Sequence, residues 1–192
     1  MRRERLDRDY FENLYEESTD PWGFETSDYE RKKYERTLES LGERRFRQAF
    51  EAGSSIGVFT AMLAPRCEEL LAVDTSEKAF EIARERLAEQ SHVRVERRTL
   101  PEEMPEGPFD LIVASEVLYY WPREVVLEAL RNFEEILVQG GVLVAVHWRM
   151  ETKTYPLQGD EVHELLVRHV RLANVKTIME PEYRLDDFEN VA

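Results

Sequence analysis

The spacing of apolar residues divides the chain into short strand-like runs and longer helical repeats. Between the strand-like runs, Ser76 is predicted to be the N-cap of a helix that reaches about residue 90. Core-spaced residues predict a second helix over 123–138, which Gly140 closes in a left-handed conformation. The apolar runs predict five strands, at residues 46–51, 69–74, 93–95, 109–115 and 142–147. Such alternation is typical of parallel strands joined by crossovers.

The two ends of the chain extend this pattern. The first 45 residues are polar and aromatic, and they predict one or two helices with a break at Asp20 and Pro21. The better of these helices covers residues 29–41. After the fifth strand, the sequence predicts a helix over 160–169 and two strands near 174–179 and 183–189.

Together these elements predict an α/β fold. We expect a doubly wound, mostly parallel, Rossmann-like sheet of about seven strands with helices on both faces. Residues 1–45 are predicted to form an N-terminal helical lid, and residues 46–192 the main α/β domain, within one compact domain overall.

The turn between the first strand and the following helix carries the sequence EAGSSIG at residues 51–57. The next strand ends in Asp74, about twenty residues after the glycines. A glycine turn followed by an acid at the next strand tip is typical of nucleotide-binding α/β folds, in which the acid accepts hydrogen bonds from ribose hydroxyls. Gly53 allows a sharp turn, and Gly57 removes a side chain where helix and sheet, or backbone and ligand, come close. An ordinary strand–turn–helix would show the same glycines.

Composition narrows the range of partners. The net charge of −14 argues against a nucleic acid and is compatible with a cationic or amine-bearing substrate. The single cysteine, Cys67, cannot form an internal disulfide, which suits a cytoplasmic location. We expect no secretion signal, no membrane span and no metal site, since the N-terminus lacks an apolar stretch, apolar runs are short and the four histidines are scattered. A monomer or weak dimer is the expected assembly.

Two cofactor classes fit the glycine turn: dinucleotides and S-adenosylmethionine. A dinucleotide dehydrogenase normally continues past five strands into further catalytic machinery. Glu51 at the start of the turn, the short chain and the closing strand pair instead resemble class I methyltransferases, so that 46–192 is the methyltransferase domain.

Five further segments narrow the resemblance. They lie at residues 20–24 (DPWGF), 29–34 (YERKKY), 109–120 (FDLIVASEVLYY), 147–148 (HW) and 159–163 (GDEVH). The chain resembles the nodulation-protein-S-like methyltransferases from about Tyr10 to its last strand. The resemblance implies S-adenosylmethionine as cofactor. It also implies N-methylation of an amine on a small molecule such as a de-N-acetylated amino sugar or oligosaccharide.

The resemblance also implies a set of cofactor-binding residues. Glu51 would hold the methionine amino group, Arg31 the carboxylate, and Trp22 would belong to a lid. Thr99 stands where an aspartate usually approaches the adenine amine. The adenine would therefore bond to an uncharged hydroxyl of Thr99 or to the backbone of Leu100. The full set is Trp22, Arg31, Glu51, Gly53, Gly57, Asp74, Thr75, Thr99, Leu100 and Ser115. Simpler interpretations need no cofactor: Arg31 would be a solvent-exposed charge on its helix, and Trp22 would belong to an aromatic cluster.

Candidate catalytic residues follow the fourth and fifth strands, where open α/β sheets place ligands. Glu116 is the candidate to orient a substrate amine or take its proton, and it could instead cap the following turn. Tyr120 would wall the methyl-transfer pocket with Tyr119, and His147 could act as a general base. His163 could reach the same site from its helix, although a strand-end or helix histidine is often a satisfied structural residue.

Two other classes of function stay open on sequence grounds. The chain could be a non-catalytic methyltransferase-fold protein that acts as a partner subunit, a reading to which Thr99 gives some weight. It could also be an NAD(P)-dependent dehydrogenase, if dinucleotides bind and S-adenosylmethionine does not.

Overall fold

The computed structural model describes residues 4–191, in which six helices and seven strands form. The helices are α1 (Arg8–Glu17), α2 (Asp28–Ser40), α3 (Val58–Leu63), α4 (Glu77–Arg86), α5 (Arg123–Ile136) and α6 (Gly159–His169). The strands are β1 (Phe46–Ala52), β2 (Cys67–Asp74), β3 (Val93–Arg97), β4 (Phe109–Ser115), β5 (Leu137–Trp148), β6 (Ala173–Met179) and β7 (Tyr183–Glu189). Two 3-10 turns also form within residues 4–191: Ala64–Arg66 lies between α3 and β2, and Leu118–Tyr120 lies between β4 and α5.

The strands form one sheet in the order β3-β2-β1-β4-β5-β7-β6. Strand β2 is parallel to β1 and β3, and β4 is parallel to β5. Strand β7 runs antiparallel to both β5 and β6, which makes the sheet mostly parallel. The predicted fold class is confirmed.

By packing, the described chain divides into two compact units. The first unit comprises residues 7–99, and the second comprises residues 4–6 and 100–191. In the first unit α1 packs against α4 and α2 against α3, so the N-terminal helices belong with β1–β3 rather than apart from them. The predicted boundary at residue 45 marks a change in sequence pattern, and its role as a domain limit stays a prediction.

Two helix ends differ from the sequence pattern. Ser76 caps α4 as predicted, since its Oγ accepts a hydrogen bond from the Ala79 N–H at 3.2 Å, but α4 ends at Arg86. The prediction that Gly140 caps α5 is wrong, because α5 ends at Ile136 and β5 begins at the next residue. Gly140 does have a left-handed φ of 72°, but it lies inside β5 and donates to the Asn190 carbonyl at 2.6 Å.

None of the helices within residues 4–191 combines the length and the apolar character needed to cross a membrane.

Candidate active site

Glu51 lies near the end of β1, in the first unit, at the start of the glycine turn. The turn is pinned to β2, since the N–H groups of Gly53 and Ser54 both donate to the Val73 carbonyl at 2.9 Å. Gly53 has a φ of 77°, which a residue with a side chain rarely adopts, and this explains the glycine at that position. The local sequence therefore fixes Glu51 at the carboxyl end of a buried strand.

The Glu51 carboxyl group is buried with only 3% of the residue exposed. Burial raises the pKa of Glu51 to about 8; the Thr60 hydroxyl acts against this rise, and the neighbouring charge of Asp74 contributes to it. Within residues 4–191, Glu51 Oε2 has no hydrogen-bond partner, and neither does the buried hydroxyl of Ser54 in the same turn. An orphaned buried carboxylate is costly in a folded protein, and a bound ammonium group would satisfy it.

Asp74 holds the glycine turn and the start of α4 together. Its Oδ2 accepts from the Ser55 N–H and its Oδ1 from the Ser76 N–H, each at 2.9 Å. Burial raises the pKa of Asp74, and these two N–H donors act against that rise. Ser55 has a φ of 50°, so the turn places a strained residue beside the carboxylate. The carboxylate thus lies at the tip of β2, where the sequence predicted it.

One face of α1 carries three side chains that contact the loops around this site. Arg8 Nη2 donates to Thr99 Oγ1 at 2.8 Å, Glu12 accepts from the Glu77 N–H at 2.9 Å, and Tyr15 shares a hydrogen bond with Ser55 Oγ. Burial, and then the charge of Asp74, raises the pKa of Tyr15. None of these three residues was predicted from the sequence. Their spacing of four and three along a helix was the available signal, because it places them on one face.

Thr75 and Thr99 lie together in the first unit. Their hydroxyl oxygens are 2.9 Å apart and share a hydrogen bond. Thr99 Oγ1 also accepts the hydrogen bond from Arg8, so this hydroxyl has two partners, Thr75 and Arg8. Thr99 is thus part of an ordered polar cluster beside Asp74 and Ser76.

Gly57 serves close packing of two helices. A Cβ at this position would lie 3.1 Å from Ala83 Cβ and 3.2 Å from Leu87 Cδ1, tighter than ordinary side-chain contacts. Its φ of 77° also disfavours other residues. The sequence offered helix–sheet packing or a close ligand as reasons for this glycine, whereas the structure brings it against α4; its contact with a cofactor stays a prediction.

Trp22 and Arg31 have simpler surroundings than their predicted roles imply. Trp22 stacks on Phe24 and meets Tyr15 edge to face, within a cluster around buried Ile56 and Ala79. Arg31 is half exposed on α2 and pairs with Glu35 at 2.7 Å and with Asp28 at 3.2 Å. These partners raise the pKa of Arg31. A carboxylate ligand would have to displace both of them, so binding by Arg31 stays a prediction.

Glu116 follows β4 in the second unit and has a φ of 54°. Among residues 4–191 only Ser55 and Glu116 combine a side chain with positive φ, and such strain collects at functional sites. Glu116 Oε2 accepts from the Trp148 N–H at 3.0 Å and from the Tyr119 hydroxyl. These two donors fix the orientation of the carboxylate at the carboxyl ends of β4 and β5.

Three tyrosines pack together beside Glu116. The rings of Tyr119 and Tyr120 lie 4.7 Å apart between centroids, and Tyr155 lies within 5.0 Å of each. Burial raises the pKa of Tyr119 and Tyr120 well above their usual value, so both phenols stay protonated. Tyr120 was predicted in this wall. Tyr155 was not, because the loop that carries it has no recognisable pattern.

His147 is completely buried at the end of β5. Its Nε2 accepts from the Leu118 N–H at 3.2 Å, and its Nδ1 lies 3.2 Å from His163 Nε2. A general base needs an open lone pair that faces the substrate, and this arrangement occupies both ring nitrogens. The backbone amide takes the Nε2 lone pair, so this geometry does not support a base role for His147, which stays a prediction.

The remaining predicted residues occupy strand ends and loops of the second unit. The Leu100 carbonyl accepts from Arg5 Nη2 at 2.9 Å, and Arg5 also pairs with Glu102. The hydrogen bond from Arg5 to the Glu102 carboxylate lowers the pKa of Glu102. Ser115 is the last residue of β4, in register with Val146 of β5. Within residues 4–191, no group of three or more His, Cys, Asp or Glu side chains has an arrangement that could hold a metal ion.

Comparison with known proteins points to one family. The family model for Nodulation protein S (NodS) matches residues 8–155. Nodulation protein S of Bradyrhizobium diazoefficiens is 36% identical over 127 residues, which cover 65% of this chain and 61% of that protein. Nodulation protein S of Rhizobium tropici is 34% identical over 127 residues, which cover 65% of this chain and 53% of that protein. The chain therefore matches less than two thirds of the length of these relatives.

The fold comparison agrees with the sequence comparison. The crystal structure of N-methyltransferase NodS from Bradyrhizobium japonicum WM9, in complex with S-adenosyl-L-homocysteine, matches with a TM-score of 0.85 at 26% identity. The match covers 97% of this chain and 100% of that one. The architecture is thus the Rossmann-like fold of class I methyltransferases.

Proposed function

The chain belongs to the Nodulation protein S family, and we propose that it is a methyltransferase that uses S-adenosylmethionine to N-methylate an amine on a small molecule, such as a de-N-acetylated amino sugar. The observation that carries this proposal is the buried carboxyl group of Glu51 beside Asp74, whose Oε2 has no hydrogen-bond partner within residues 4–191. The two acids lie at the carboxyl ends of adjacent parallel strands, where this class of fold binds a nucleotide cofactor.

When bound, S-adenosylmethionine supplies a methyl group on a positively charged sulfur, which passes to an amine nitrogen while the sulfur keeps the electron pair of the broken bond. Glu51 would bind the amino group of the cofactor, because its orphaned oxygen requires a cationic or donor partner. Asp74 would bind the ribose hydroxyls with the lone pairs that its backbone donors leave. Thr99 would approach the adenine through a neutral hydroxyl that Thr75 and Arg8 already orient.

Glu116 would act on the acceptor. The attacking nitrogen must be unprotonated, and once it is methylated it carries a proton that has to leave. The fixed carboxylate of Glu116 would orient the amine and accept that proton, while Tyr119 and Tyr120 would cover the apolar face of a sugar ring. His147 has no proton-transfer role in this mechanism, because its lone pair is bonded to the Leu118 N–H. The acidic net charge would attract a cationic amine.

The location and assembly state belong to the same proposal. We place the reaction in the cytoplasm because the single cysteine, Cys67, is a buried free thiol. The binding partner that we propose is the small-molecule methyl acceptor, and we propose that the protein is a monomer or weak dimer.

We expect the replacement Asp74→Asn to weaken binding of S-adenosylhomocysteine by about tenfold. The amide keeps the shape but loses the charge that strengthens its bonds to ribose hydroxyls and backbone N–H groups. Titration calorimetry measures the affinity. The control is Glu69→Gln, which removes an exposed carboxylate from the same strand. Unchanged affinity in the Asp74 variant would contradict the ribose role.

Two measurements test the proposed function. Thermal unfolding with S-adenosylmethionine, S-adenosylhomocysteine, NAD and NADP identifies the cofactor, since a ligand at a hundredfold its Kd adds roughly 2.7 kcal/mol. We expect the two adenosyl compounds alone to stabilise the protein. Mass spectrometry of glucosamine and de-N-acetylated chito-oligosaccharides after incubation with S-adenosylmethionine then tests transfer. Binding without methylation of any amine would support a non-catalytic subunit instead, and stabilisation by NAD would support a dehydrogenase.

A further inference from the structure

A buried chain of three polar side chains crosses the second unit from β7 to the end of β5. Asp186, on β7, lies 2.6 Å from His163 Nδ1 through its Oδ2. His163 Nε2 lies 3.2 Å from His147 Nδ1. None of the three residues exposes any measurable surface to solvent.

The far end of the chain fixes where the protons lie. The Leu118 N–H can only donate, so His147 Nε2 must be the acceptor of that 3.2 Å bond. A neutral His147 then carries its proton on Nδ1 and donates it to His163 Nε2. His163 in turn carries its proton on Nδ1 and donates it to Asp186. Every bond in the chain is satisfied by two neutral histidines and one carboxylate.

The electrostatics of the buried groups agree with this assignment. Burial lowers the pKa of His163, although Asp186 acts in the opposite direction. Burial by itself would raise the pKa of Asp186, but hydrogen bonds from His163 and Thr177 outweigh it and lower that pKa to about 2. Arg184 Nε also lies 2.8 Å from Asp186 Oδ2. The carboxylate end of the chain is therefore anionic.

The chain ends on the 3-10 turn that carries the tyrosines of the candidate site. Leu118 is the first residue of that turn, and Tyr119 follows it. The Tyr119 hydroxyl donates to Glu116, and its ring meets the His147 ring edge to face with centroids 5.2 Å apart. His147 therefore contacts this turn twice, through its lone pair and through its ring.

Helix α6 comes close enough to the end of β5 to complete this chain of hydrogen bonds because it begins with a glycine. A Cβ on Gly159 would lie 2.0 Å from the Trp148 carbonyl oxygen and 3.2 Å from His147 Cβ, so no other residue fits there without a shift. This contact brings α6 against the end of β5, and it places His163, one turn further on, beside the His147 ring.

We propose that His163, oriented by Asp186, is a positioning residue for the acceptor side of the active site, acting through His147 and the 3-10 turn on Tyr119 and Glu116. The inference rests on the proposed methyltransferase function. Burying three polar groups is costly unless each is fully bonded, and this chain meets that condition only in one arrangement of protons. The arrangement therefore selects one position of the turn, and through it one orientation of the Glu116 carboxylate.

The test replaces His163 with Gln and measures methyl transfer to the amino sugar that the unmodified protein methylates fastest. We expect kcat to fall about a hundredfold, as it does when a reacting group is displaced by about an ångström. We expect KM to change less than about threefold and S-adenosylhomocysteine affinity less than about twofold, because the cofactor residues other than Leu100 and Ser115 lie in the first unit. The matched control is His169→Gln, an exposed histidine on the same helix, which should behave like the unmodified protein.

A spectroscopic measurement keeps the inference testable if the His163 variant does not fold. The ¹⁵N resonances of labelled histidines report which ring nitrogen carries the proton. Of the four histidines, variants at His92 and His169 identify the signals of those two, which leaves the signals of His147 and His163. Protons on Nδ1 of both His147 and His163 support the chain, whereas a proton on Nε2 of either would overturn it. Unchanged kcat in a folded His163→Gln, or in Asp186→Asn, would also overturn the positioning role. A wild type that methylates no amine would refute the proposed function and the positioning role with it. The histidine tautomers would still show whether the hydrogen bonds from Asp186 through His163 to His147 form.

Discussion

Replacing Glu51 with Gln is expected to stabilise the ligand-free protein and at the same time to weaken cofactor binding by about a hundredfold. The buried carboxyl group has an oxygen without a partner, so it destabilises the empty site whenever it is ionised. The same carboxylate would form a charge-assisted bond with the amino group of the cofactor, and such a bond is worth roughly 1.5–3 kcal/mol. A neutral amide removes both effects.

The pH dependence of stability tests the first half of this expectation. The folded pKa of Glu51 is raised from 4.5 to about 8, so the folded state holds its proton more tightly than the unfolded state does. Stability is therefore fully present below pH 4.5 and falls as the pH rises towards 8, by about 1.4 kcal/mol per pH unit. Gln does not titrate. Its advantage over Glu51 should grow by roughly 2–3 kcal/mol between pH 6 and pH 8, as measured by urea unfolding.

Calorimetry tests the second half. S-adenosylhomocysteine carries the same amino group, so at pH 7 its binding should displace about one proton from Glu51, because a nearby cation lowers a carboxyl pKa. Titrations in buffers of different ionisation enthalpy detect this proton, and Glu51→Gln should release none. The control is again Glu69→Gln, which should bind and unfold like the unmodified protein. A stability difference that does not change with pH would contradict the raised pKa, and wild-type affinity would contradict the amino-group contact.

The fold was largely predictable because its signals are local. Short apolar runs such as residues 109–115 favour buried strands, and the glycine at residue 53 indicates a turn whose positive φ other residues rarely adopt. Gly140 shows the limit of this reasoning. Its left-handed φ was predicted, but whether such a residue ends a helix or bends a strand depends on the partner, which here is Asn190, fifty residues later.

The candidate site was predictable at strand ends and poorly predictable elsewhere. Asp74 and Glu116 follow apolar strands, so topology alone places them at the carboxyl edge of the sheet. Asp186 gave no such signal, because it joins His163 across two different elements. The strained backbone of Glu116 is equally invisible in sequence, since nothing about a glutamate predicts a positive φ.

The replacement Glu116→Gln is expected to lower kcat by about a hundredfold and to leave S-adenosylhomocysteine affinity within about twofold. Gln has the same shape, and its carbonyl oxygen can still accept from Tyr119 and Trp148. It cannot accept the proton that the methylated amine must lose, and it attracts a cationic amine less strongly. General acid–base groups typically contribute 10²–10⁴-fold, which sets the size of the expected loss.

Steady-state kinetics with an amino sugar acceptor, together with calorimetry of the cofactor analogue, separate the possible roles of Glu116. Tyr119→Phe should cause a smaller fall in kcat, because it removes one donor and leaves the Trp148 N–H and the carboxylate charge in place. Glu128→Gln, an exposed acid on α5, is the matched control for loss of charge and should behave like the unmodified protein. An equal loss of kcat and cofactor affinity in Glu116→Gln would assign this carboxylate to the cofactor or to the fold. An unchanged kcat would leave water as the proton acceptor, so that the strained backbone at Glu116 would serve only to place Tyr119 and Trp148.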